Sequence, residues 1–536
     1  MKGILKRLQC LAAATTVIGV ALTACAPASA PAAPTPSGDT SSDLIEVTIS
    51  FWDIQNSFPE GEPDAIAKMV RDRFKIKLVP VNVGWGDADE KYNTWAASGQ
   101  LPDVIGAVSL VVSPRFNQWI NDGVVRPLPD DLSAYPEISK LMDQPEVKAF
   151  TVAGKNYFLP RQVYADAAYW AMDRGLLARK DWMEKVGITD PKTEEDYINL
   201  TVAFAKNDPD GNGVDDTAGY TPADPVFIYS QGWPGFGYTD NRWVLDTDGK
   251  YRIALAGERA FNLFKFIKRM YQAGGLDPDF ATLDTNQAIE KFATGKTGIL
   301  GMQVSPTHLN TIMKIWAKAQ PDKKFTEHIT FLHGPTVDGL YHRFVEMPYW
   351  SETYFSSKVD DAKMKRILEM FNWLYSEEGI NTMMYGIEGV DWVKQGDQIK
   401  LLTPIDQTTG LHKSTAEIYP FTSAMNSFAL WGPDVMQYND PLIDEKVRAM
   451  CKEERDYRVA NWKAQKLDWA VFAIDVPEKQ EMAAVKFSDD WVKFILDTSG
   501  KSDEQLYEEM KQNWDANGYA AAVEAITAKA KELGIK

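Results

Sequence analysis

An alternation of strand and helix patterns after residue 45 limits the fold more than any other feature of this 536-residue chain. Strands are marked by alternating β-branched and aromatic residues, and helices by apolar residues at helical spacing. In order, the segments are a strand at 46–52, a helix at 64–74, a strand at 75–81, a helix at 89–98 that ends at Gly99, and a strand at 101–105. This order predicts a parallel α/β lobe. Its ligands are expected at the carboxyl ends of the strands, near Trp52, Asp53 and the loop around Gly106.

The first 24 residues are typical of a secretory signal peptide, with basic residues before an apolar stretch too short to span a membrane. The stretch ends in Leu22-Thr23-Ala24-Cys25, which resembles the bacterial lipobox. The alternative is cleavage at the small residues 28–30, with loss of Cys25. Residues 25–44 are rich in Ala, Pro, Ser and Thr, which predicts a flexible tether. We therefore expect an extracytoplasmic protein attached to the cell membrane by an acyl chain, such as palmitate, on Cys25.

The composition narrows the classes of partner. A net charge of −18 argues against nucleic acid, because phosphate contacts need clustered Lys and Arg. Cys10 would leave with the signal peptide and Cys25 would carry the lipid, so Cys451 alone remains and no disulfide can form within one mature chain. The 17 Trp, 21 Tyr and 24 Phe residues favour stacking on sugar rings, although we expect most of these rings in the core.

Several segments, in order along the chain, resemble the family 1 extracellular solute-binding proteins of ABC importers. The most specific is WAMDRGLLARKDW at 170–182, which continues into a VGI and PKTEE pattern by residue 195. The others are residues 99–103 within SGQLPDV, 292–299 (FATGKTGI) and 385–392 (YGIEGVDW). The resemblance implies a type II periplasmic-binding-protein-like α/β fold, in which two lobes close on a ligand cleft about a hinge.

The resemblance also implies boundaries and a function. The N-terminal lobe is expected at 45–163 and 303–349, the C-terminal lobe at 164–302 and 350–500, and a helical cap at 501–536. Such a protein would capture an oligosaccharide or other carbohydrate as a monomer and deliver it to the permease subunits of an ABC transporter. It would be a binding protein and not an enzyme.

The segment DPDGNGVDD at 208–216 follows the pattern of a calcium-binding loop. Oxygen ligands stand at alternate positions, and Gly213 occupies the sixth position, where the loop turns sharply. The twelfth position is Gly219, so the bidentate Glu of a full EF-hand is missing. We expect a shorter calcium loop that braces the protein, and the alternative is a polar turn without metal. The predicted ligands are Asp208, Asp210, Asn212, the Val214 carbonyl and Asp216.

Two other motifs have simpler interpretations. Residues 246–249 (DTDG) lie between two short strand patterns and predict a β-hairpin turn. Residues 295–297 (GKT) resemble the end of a phosphate-binding loop, but the first glycine of that motif would fall at Glu290, so no nucleotide site is predicted.

The candidate cleft residues are aromatic or acidic side chains near predicted loops and strand ends, because aromatic faces stack on sugars and carboxylates accept hydroxyl hydrogens. Trp52, Asp53 and Trp392 are preferred, whereas Trp182 and Trp373 lie on predicted helices and are expected in the core. The full set is Trp52, Asp53, Trp85, Asp103, Tyr164, Trp170, Trp233, Trp350, Tyr354, Trp392 and Trp431.

Two alternatives stay open at the level of sequence. An extracytoplasmic glycoside hydrolase needs two carboxylates at a fixed separation, and 75 Asp and Glu residues neither name nor exclude such a pair. A receptor for peptides or other solutes could use the same fold, because a fold does not determine its ligand. The aromatic content favours carbohydrate over peptide.

Overall fold

The predicted alternation of strands and helices is present in the computed structural model. The structure describes residues 44–535, apart from 85, 112, 114, 165, 224–231, 397 and 430–433. The predicted signal peptide, the tether up to residue 43 and the predicted lipid site Cys25 lie outside the described residues, as do Trp85 and Trp431.

The strands are numbered in chain order. They are β1 Ile45–Ser50, β2 Ile76–Pro80, β3 Val104–Val108, β4 Phe158–Gln162, β5 Gly175–Arg179, β6 Ala218–Pro222, β7 Trp243–Leu245, β8 Tyr251–Ile253, β9 Thr297–Met302, β10 Ile329–Leu332, β11 His342–Val345, β12 Tyr349–Phe355, β13 Trp392–Gln395, β14 Gln398–Leu401 and β15 Lys463–Lys466.

The first large sheet has the strand order β2-β1-β3-β12-β4. β1 is parallel to β2 and β3, which confirms the predicted parallel lobe. β12 arrives from far along the chain and is antiparallel to both β3 and β4. The carboxyl ends of β1, β3 and β4 therefore share one edge with the amino end of β12.

The second large sheet has the order β10-β5-β9-β6. β5 is antiparallel to β9 and β10, and β6 is parallel to β9. Every residue of β5 and β9 is buried, as expected for central strands that pack on both faces. The lobe boundaries stay predictions, and the sheets add that β10 pairs in the second sheet whereas β12 pairs in the first.

Helices cover both sheets. Their bounds are Ala65–Phe74, Ala88–Ser98, Arg115–Asn121, Pro136–Met142, Pro145–Lys148, Lys180–Val186, Glu194–Lys206, Glu258–Ala273, Thr285–Ala293, Pro306–Ala319, Phe325–His328, Asp361–Leu374, Glu377–Tyr385, Thr415–Ile418, Thr422–Ala429, Asp434–Gln437, Glu445–Asn461, Glu478–Glu481, Phe487–Leu496, Asp503–Ala516 and Tyr519–Leu533. Short 3-10 helices occur at Ile54–Ser57, Ala167–Met172, Pro234–Phe236, Ala254–Ala256, Trp469–Ala473 and Met482–Ala484. None of the helices in the described residues has the length and apolar character needed to cross a membrane.

Local sequence explains where many helices begin and end. The Asp64 side chain accepts a hydrogen bond from the Ala67 amide at 2.9 Å and caps the first helix. Thr193 and Asp196 form a reciprocal capping box at the start of Glu194–Lys206. The predicted helical cap at 501–536 contains two helices, Asp503–Ala516 and Tyr519–Leu533, which are separated at Gly518, where φ is 92.

The core is rich in aromatic residues. Trp182 is 1% exposed and Trp373 is 4% exposed, which confirms that both helix residues belong to the core. The predicted hairpin turn is also confirmed, because β7 and β8 pair antiparallel on either side of residues 246–249.

Candidate functional site

A cavity of about 290 Å³ lies at the carboxyl ends of one strand from each large sheet. Val163 and Tyr164 follow β4 directly, and Gln303 follows β9. Ligands of α/β sheets gather at such carboxyl edges. The cavity is lined by Val163, Tyr164, Gln303, Ser305, Thr307, His308, Met383, Met384, Ser414, Thr415, Ala416, Thr422, Ser423, Asn426, Gln437, Asp440 and Leu442.

Hydroxyl and amide side chains dominate this lining. Ser, Thr, Asn and Gln each offer donors and acceptors that can pair with hydroxyl groups in either direction. Several of them stand at helix starts; for example, Ser305 precedes the helix Pro306–Ala319, whose first helical position is a proline. Short polar groups presented by helix ends therefore face the cavity from several directions.

Tyr164 is held rigidly at the cavity wall. Its hydroxyl donates to Asp173 Oδ1 at 2.5 Å, and Gln303 Nε2 donates to the same oxygen at 3.3 Å. Arg174 forms an ion pair with the other oxygen of Asp173. The Trp170 ring packs behind Tyr164 with centroids 4.2 Å apart. Trp170, Asp173 and Arg174 belong to the segment 170–182, so one function of that segment is to position the Tyr164 ring.

Trp52 and Trp350 form an aromatic pair at the same edge of the first sheet, with centroids 5.4 Å apart. The buried Arg161 guanidinium lies 5.4 Å from the Trp52 ring and 4.9 Å from the Trp350 ring, and its Nε donates to Ser351 Oγ at 3.0 Å. Burial lowers the pKa of Arg161 to about 9. Both tryptophans are half-buried. Neither is among the residues that line the cavity.

Strand β12 is bent next to this pair. Ser351 has φ 67, a left-handed conformation that a non-glycine residue seldom adopts in a strand, and the pairing with β4 shifts between Tyr349 and Glu352. A bulge of this kind redirects side chains and is common beside functional sites. Here the bulge lies beside Trp350, which packs against Trp52.

Glu352 has a buried carboxyl group that anchors the loop after β3. It accepts hydrogen bonds from the Leu110 amide at 2.8 Å and from the Tyr354 hydroxyl at 3.0 Å. Burial raises the pKa of Glu352 to about 8. Tyr354, predicted as a cleft residue, is fully buried. Its role is to donate this hydrogen bond to Glu352 and to pack in the core.

The structure brings few of the other predicted cleft residues to the cavity. Asp53 is exposed on a turn with φ 52. Asp103 lies at the amino end of β3, the edge opposite to Tyr164, where it accepts from the Thr48 amide at 2.8 Å and pairs with Lys363 at 3.0 Å. Asp103 does not line the cavity because it lies at the start of β3, whereas the cavity lies at the carboxyl edge of the sheet.

Two predicted tryptophans are packing residues. Trp233 is 1% exposed and makes edge contacts with Tyr220 and Phe266. Trp392 is 3% exposed, contacts Tyr385, and donates its indole N–H to the Gly386 carbonyl at 3.0 Å. Neither lines the cavity.

The sequence did not single out the polar cavity residues. Asp440 lies in an irregular segment and His308 in the first turn of the helix Pro306–Ala319, and an isolated polar residue in either setting carries no periodic signal. Asp440 accepts from the Leu442 amide at 2.9 Å, and burial raises the pKa of Asp440 to about 6. His308 Nδ1 is 2.7 Å from Ser305 Oγ, and burial together with the Arg174 charge lowers the pKa of His308 to about 4. At neutral pH the histidine is therefore uncharged, whereas the aspartate is ionised.

The predicted calcium loop is folded around its first aspartate. Asp208 accepts hydrogen bonds from the Gly211 and Asn212 amides at 2.9 Å and from the Gly213 amide at 3.0 Å. The Asn212 Nδ2 donates to Asp210 Oδ2 and to Asp216 Oδ1, both at 3.0 Å. Across the described part of the chain, no three His, Cys, Asp or Glu side chains are already gathered closely enough to hold a metal ion.

The missing twelfth ligand of that loop has a steric cause. Gly219 already lies on β6, and a Cβ atom there would come within 2.1 Å of the Thr201 carbonyl oxygen. A glutamate cannot occupy the position without displacing the helix Glu194–Lys206.

Three curated relatives share part of this sequence. The polygalacturonan/rhamnogalacturonan-binding protein YtcQ of Bacillus subtilis (strain 168) is 26% identical over 344 residues, covering 62% of this chain and 64% of YtcQ. The fructooligosaccharide ABC transporter substrate-binding protein FusA of Streptococcus pneumoniae is 29% identical over 260 residues, covering 45% of this chain and 48% of FusA. Lipoprotein LipO of Bacillus subtilis (strain 168) is 27% identical over 248 residues, covering 44% of this chain and 45% of LipO.

Solved structures share the fold over nearly the whole chain. The S. pneumoniae protein FusA in complex with kestose has a TM-score of 0.68 at 18% identity, covering 92% of this chain and 99% of that one. A FusA EF-hand mutant in complex with fructo-nystose has a TM-score of 0.66 at 16% identity, with the same coverage. The predicted fold class, a type II periplasmic-binding-protein-like α/β fold, is confirmed.

A family model described as bacterial extracellular solute-binding protein matches residues 59–380. The matched region contains the segment 170–182 and the cavity residues Tyr164 and Gln303, so the resemblance predicted from sequence is confirmed. This chain belongs to the family of bacterial extracellular solute-binding proteins.

Proposed function

We propose that this protein is the substrate-binding component of an ABC importer, that it captures an oligosaccharide outside the cytoplasm as a monomer, and that it delivers the sugar to membrane permease subunits. The observation that carries the proposal is the cavity at the carboxyl edges of both sheets, where hydroxyl and amide side chains surround the rigid Tyr164 ring. The relatives named for polygalacturonan and fructooligosaccharide binding support a carbohydrate ligand.

The physical basis of capture is the match between the lining and a sugar. A sugar has apolar ring faces that stack on aromatic side chains and a rim of hydroxyl groups that need both donors and acceptors. A ligand that contacts both sheets would stabilise a closed arrangement of the two lobes, which is how a binding protein signals occupancy to its permease.

The cavity favours binding over hydrolysis. A glycoside hydrolase needs a pair of carboxylates that flank the scissile bond. Among the described residues that line the cavity, Asp440 is the one carboxylate. The chemistry available there is hydrogen bonding to the ligand.

The membrane attachment belongs to the same proposal. Leu22-Thr23-Ala24-Cys25 has the form of a lipobox, and a relative is named as a lipoprotein. A lipid on Cys25 and the tether that follows would keep the folded part near its permease while leaving it free to bind ligand.

Calcium is the proposed ion for the loop at 208–216. The donor set is three carboxylates, an amide oxygen and a carbonyl, all hard oxygen ligands of the kind that calcium prefers. Asp208 already orders the loop backbone, and a solved relative carries an EF-hand by name. When bound, calcium would replace the hydrogen bonds that Asn212 makes to Asp210 and Asp216.

A thermal-shift panel tests the function. We expect at least one oligosaccharide to raise the Tm of the wild type. Tyr164→Ala should weaken binding about fivefold, because an aromatic contact of this kind contributes on the order of 1 kcal/mol. Tyr164→Phe is the matched control, since it keeps the ring and should retain most of the affinity. Release of new reducing ends from the same glycans, or no stabilisation by any glycan, would contradict the proposal.

A further inference from the structure

We propose that the cavity selects uncharged oligosaccharides and rejects those that carry carboxylate groups, and that Asp440 is the specificity-determining residue. This inference rests on the proposed function, because it names the class of carbohydrate that the same cavity accepts.

The first observation concerns the cations that line the cavity. Among the described residues that line the cavity, none is Lys or Arg. The positions between 44 and 535 that the structure does not describe contain no Lys or Arg in the sequence either. A ligand carboxylate enclosed there would lose its hydration without gaining an ion pair, which is costly.

The second observation is a buried aspartate in the cavity wall. Asp440 is 6% exposed, and one of its oxygens accepts from the Leu442 amide. The carboxylate repels a second carboxylate at close range more strongly in this enclosed site than in water. Toward a neutral sugar the same group is an acceptor for hydroxyl hydrogens.

The ionisable groups around Asp440 do not reverse this charge. His308 also lines the cavity. It is neutral at pH 7, because burial and the Arg174 charge lower the pKa of its imidazole to about 4. Arg448 directs its Nε to the Ile443 carbonyl at 3.1 Å. Arg448 and Lys314 favour the ionised form of Asp440, yet neither is among the cavity-lining residues.

Two relatives are named for ligands that differ in charge. YtcQ is named for binding polygalacturonan, whose units each carry a carboxylate, whereas FusA is named for fructooligosaccharides, which are uncharged. The lining of this cavity corresponds to the second chemistry.

Titration calorimetry with charge-matched ligands tests the inference. The probes are neutral oligosaccharides (fructo-, galacto-, manno- and xylo-), oligogalacturonides, and the methyl esters of the same oligogalacturonides, which lack the charge but keep the backbone. We expect the wild type to bind a neutral oligosaccharide and to bind the free acids at least about tenfold more weakly than their esters. Equal or tighter binding of the free acids would overturn the inference and leave the proposed function intact, whereas binding of no carbohydrate would refute both.

Two variants connect the selectivity to the residue. Asp440→Asn keeps the shape and removes the charge, so the ratio between ester and acid affinities should fall toward one. Ser423→Lys adds a cation at an exposed lining position without altering Asp440, and should improve oligogalacturonide binding even if the first variant does not fold. An unchanged acid-to-ester ratio in a folded variant would remove Asp440 from the specificity assignment.

Discussion

Buried ionic groups at the residue scale hold distant segments together. The Arg458 side chain is fully buried, and its Nη1 donates to the Ala171 carbonyl at 3.0 Å and to the Arg174 carbonyl at 2.9 Å. Its Nε donates to Glu454 at 2.6 Å, and His333 lies 2.8 Å from the same carboxylate oxygen. The helix Glu445–Asn461 is thereby fastened to the backbone just before β5, beside the segment that positions Tyr164.

The pH dependence of the unfolding free energy should reveal the contribution of the contact between Glu454 and Arg458. Burial opposes ionisation of Glu454, but Arg458 and His333 outweigh it and lower the pKa to about 2, from an ordinary value of 4.5. The carboxylate therefore stabilises the fold fully above pH 4.5, and this contribution is lost as the pH falls from 4.5 to 2. Glu454→Gln should lower the unfolding free energy by about 3–5 kcal/mol at pH 7, because Arg458 is left buried and unpaired.

Thermal melts from pH 7 to pH 2.5 check this expectation. The difference in Tm between the wild type and Glu454→Gln should shrink as the pH falls below 4.5. Glu453→Gln, at the exposed neighbouring position, is the matched control and should melt like the wild type throughout. A difference in Tm that stays constant with pH would show that Glu454 acts by packing alone.

At the scale of elements, the loop at 208–216 depends on its neighbours. Lys185 Nζ donates to the Asp208 carbonyl at 2.7 Å, and Lys296 pairs with Asp216 at 2.6 Å. These contacts tie the loop to the helix Lys180–Val186 and to the start of β9. An ion that orders the loop would therefore stabilise the second sheet as well.

Calcium should raise the melting temperature. We expect a higher Tm in millimolar calcium than in chelator, since an ion that binds the folded state stabilises it by mass action. The double variant Asp210→Asn and Asp216→Asn should lose the shift, and Asp215→Asn, outside the predicted ligand set, should keep it. Identical melting of the wild type in calcium and in chelator would refute the calcium proposal.

Element boundaries also show what local patterns can predict. β1, β2, β3 and the helices between them were predicted within a few residues, because their periodicity and caps are local. The pairing of β12 between β3 and β4 was not predictable in this way, because its partners are roughly 190 to 250 residues earlier in the chain. The helical cap at 501–536 was predicted from its amphipathic pattern, which continues past Gly518, so the break between its two helices was not part of the prediction.

At the scale of the whole molecule, the lipid site should decide where the protein resides. Cys25→Ser should move the protein from the membrane fraction to the soluble extracytoplasmic fraction, because the acyl chains would be absent. Cys10→Ser, within the predicted signal peptide, is the matched control and should leave the protein in the membrane fraction. Fractionation and immunoblotting measure the result, and membrane retention of Cys25→Ser would contradict the lipid anchor.

The sequence by itself determined the family, the fold class and the parallel arrangement of β1, β2 and β3, because motif order and hydrophobic periodicity can be read without knowing which residues are in contact. It also named Tyr164 as a cleft candidate, but it named Trp233 and Tyr354 equally, since residue type cannot distinguish a ring in the core from one at a cavity. Only the tertiary structure decided the polar wall. Asp440, Gln303 and their neighbours come from segments far apart in the chain, and their shared environment exists only after those segments pack together.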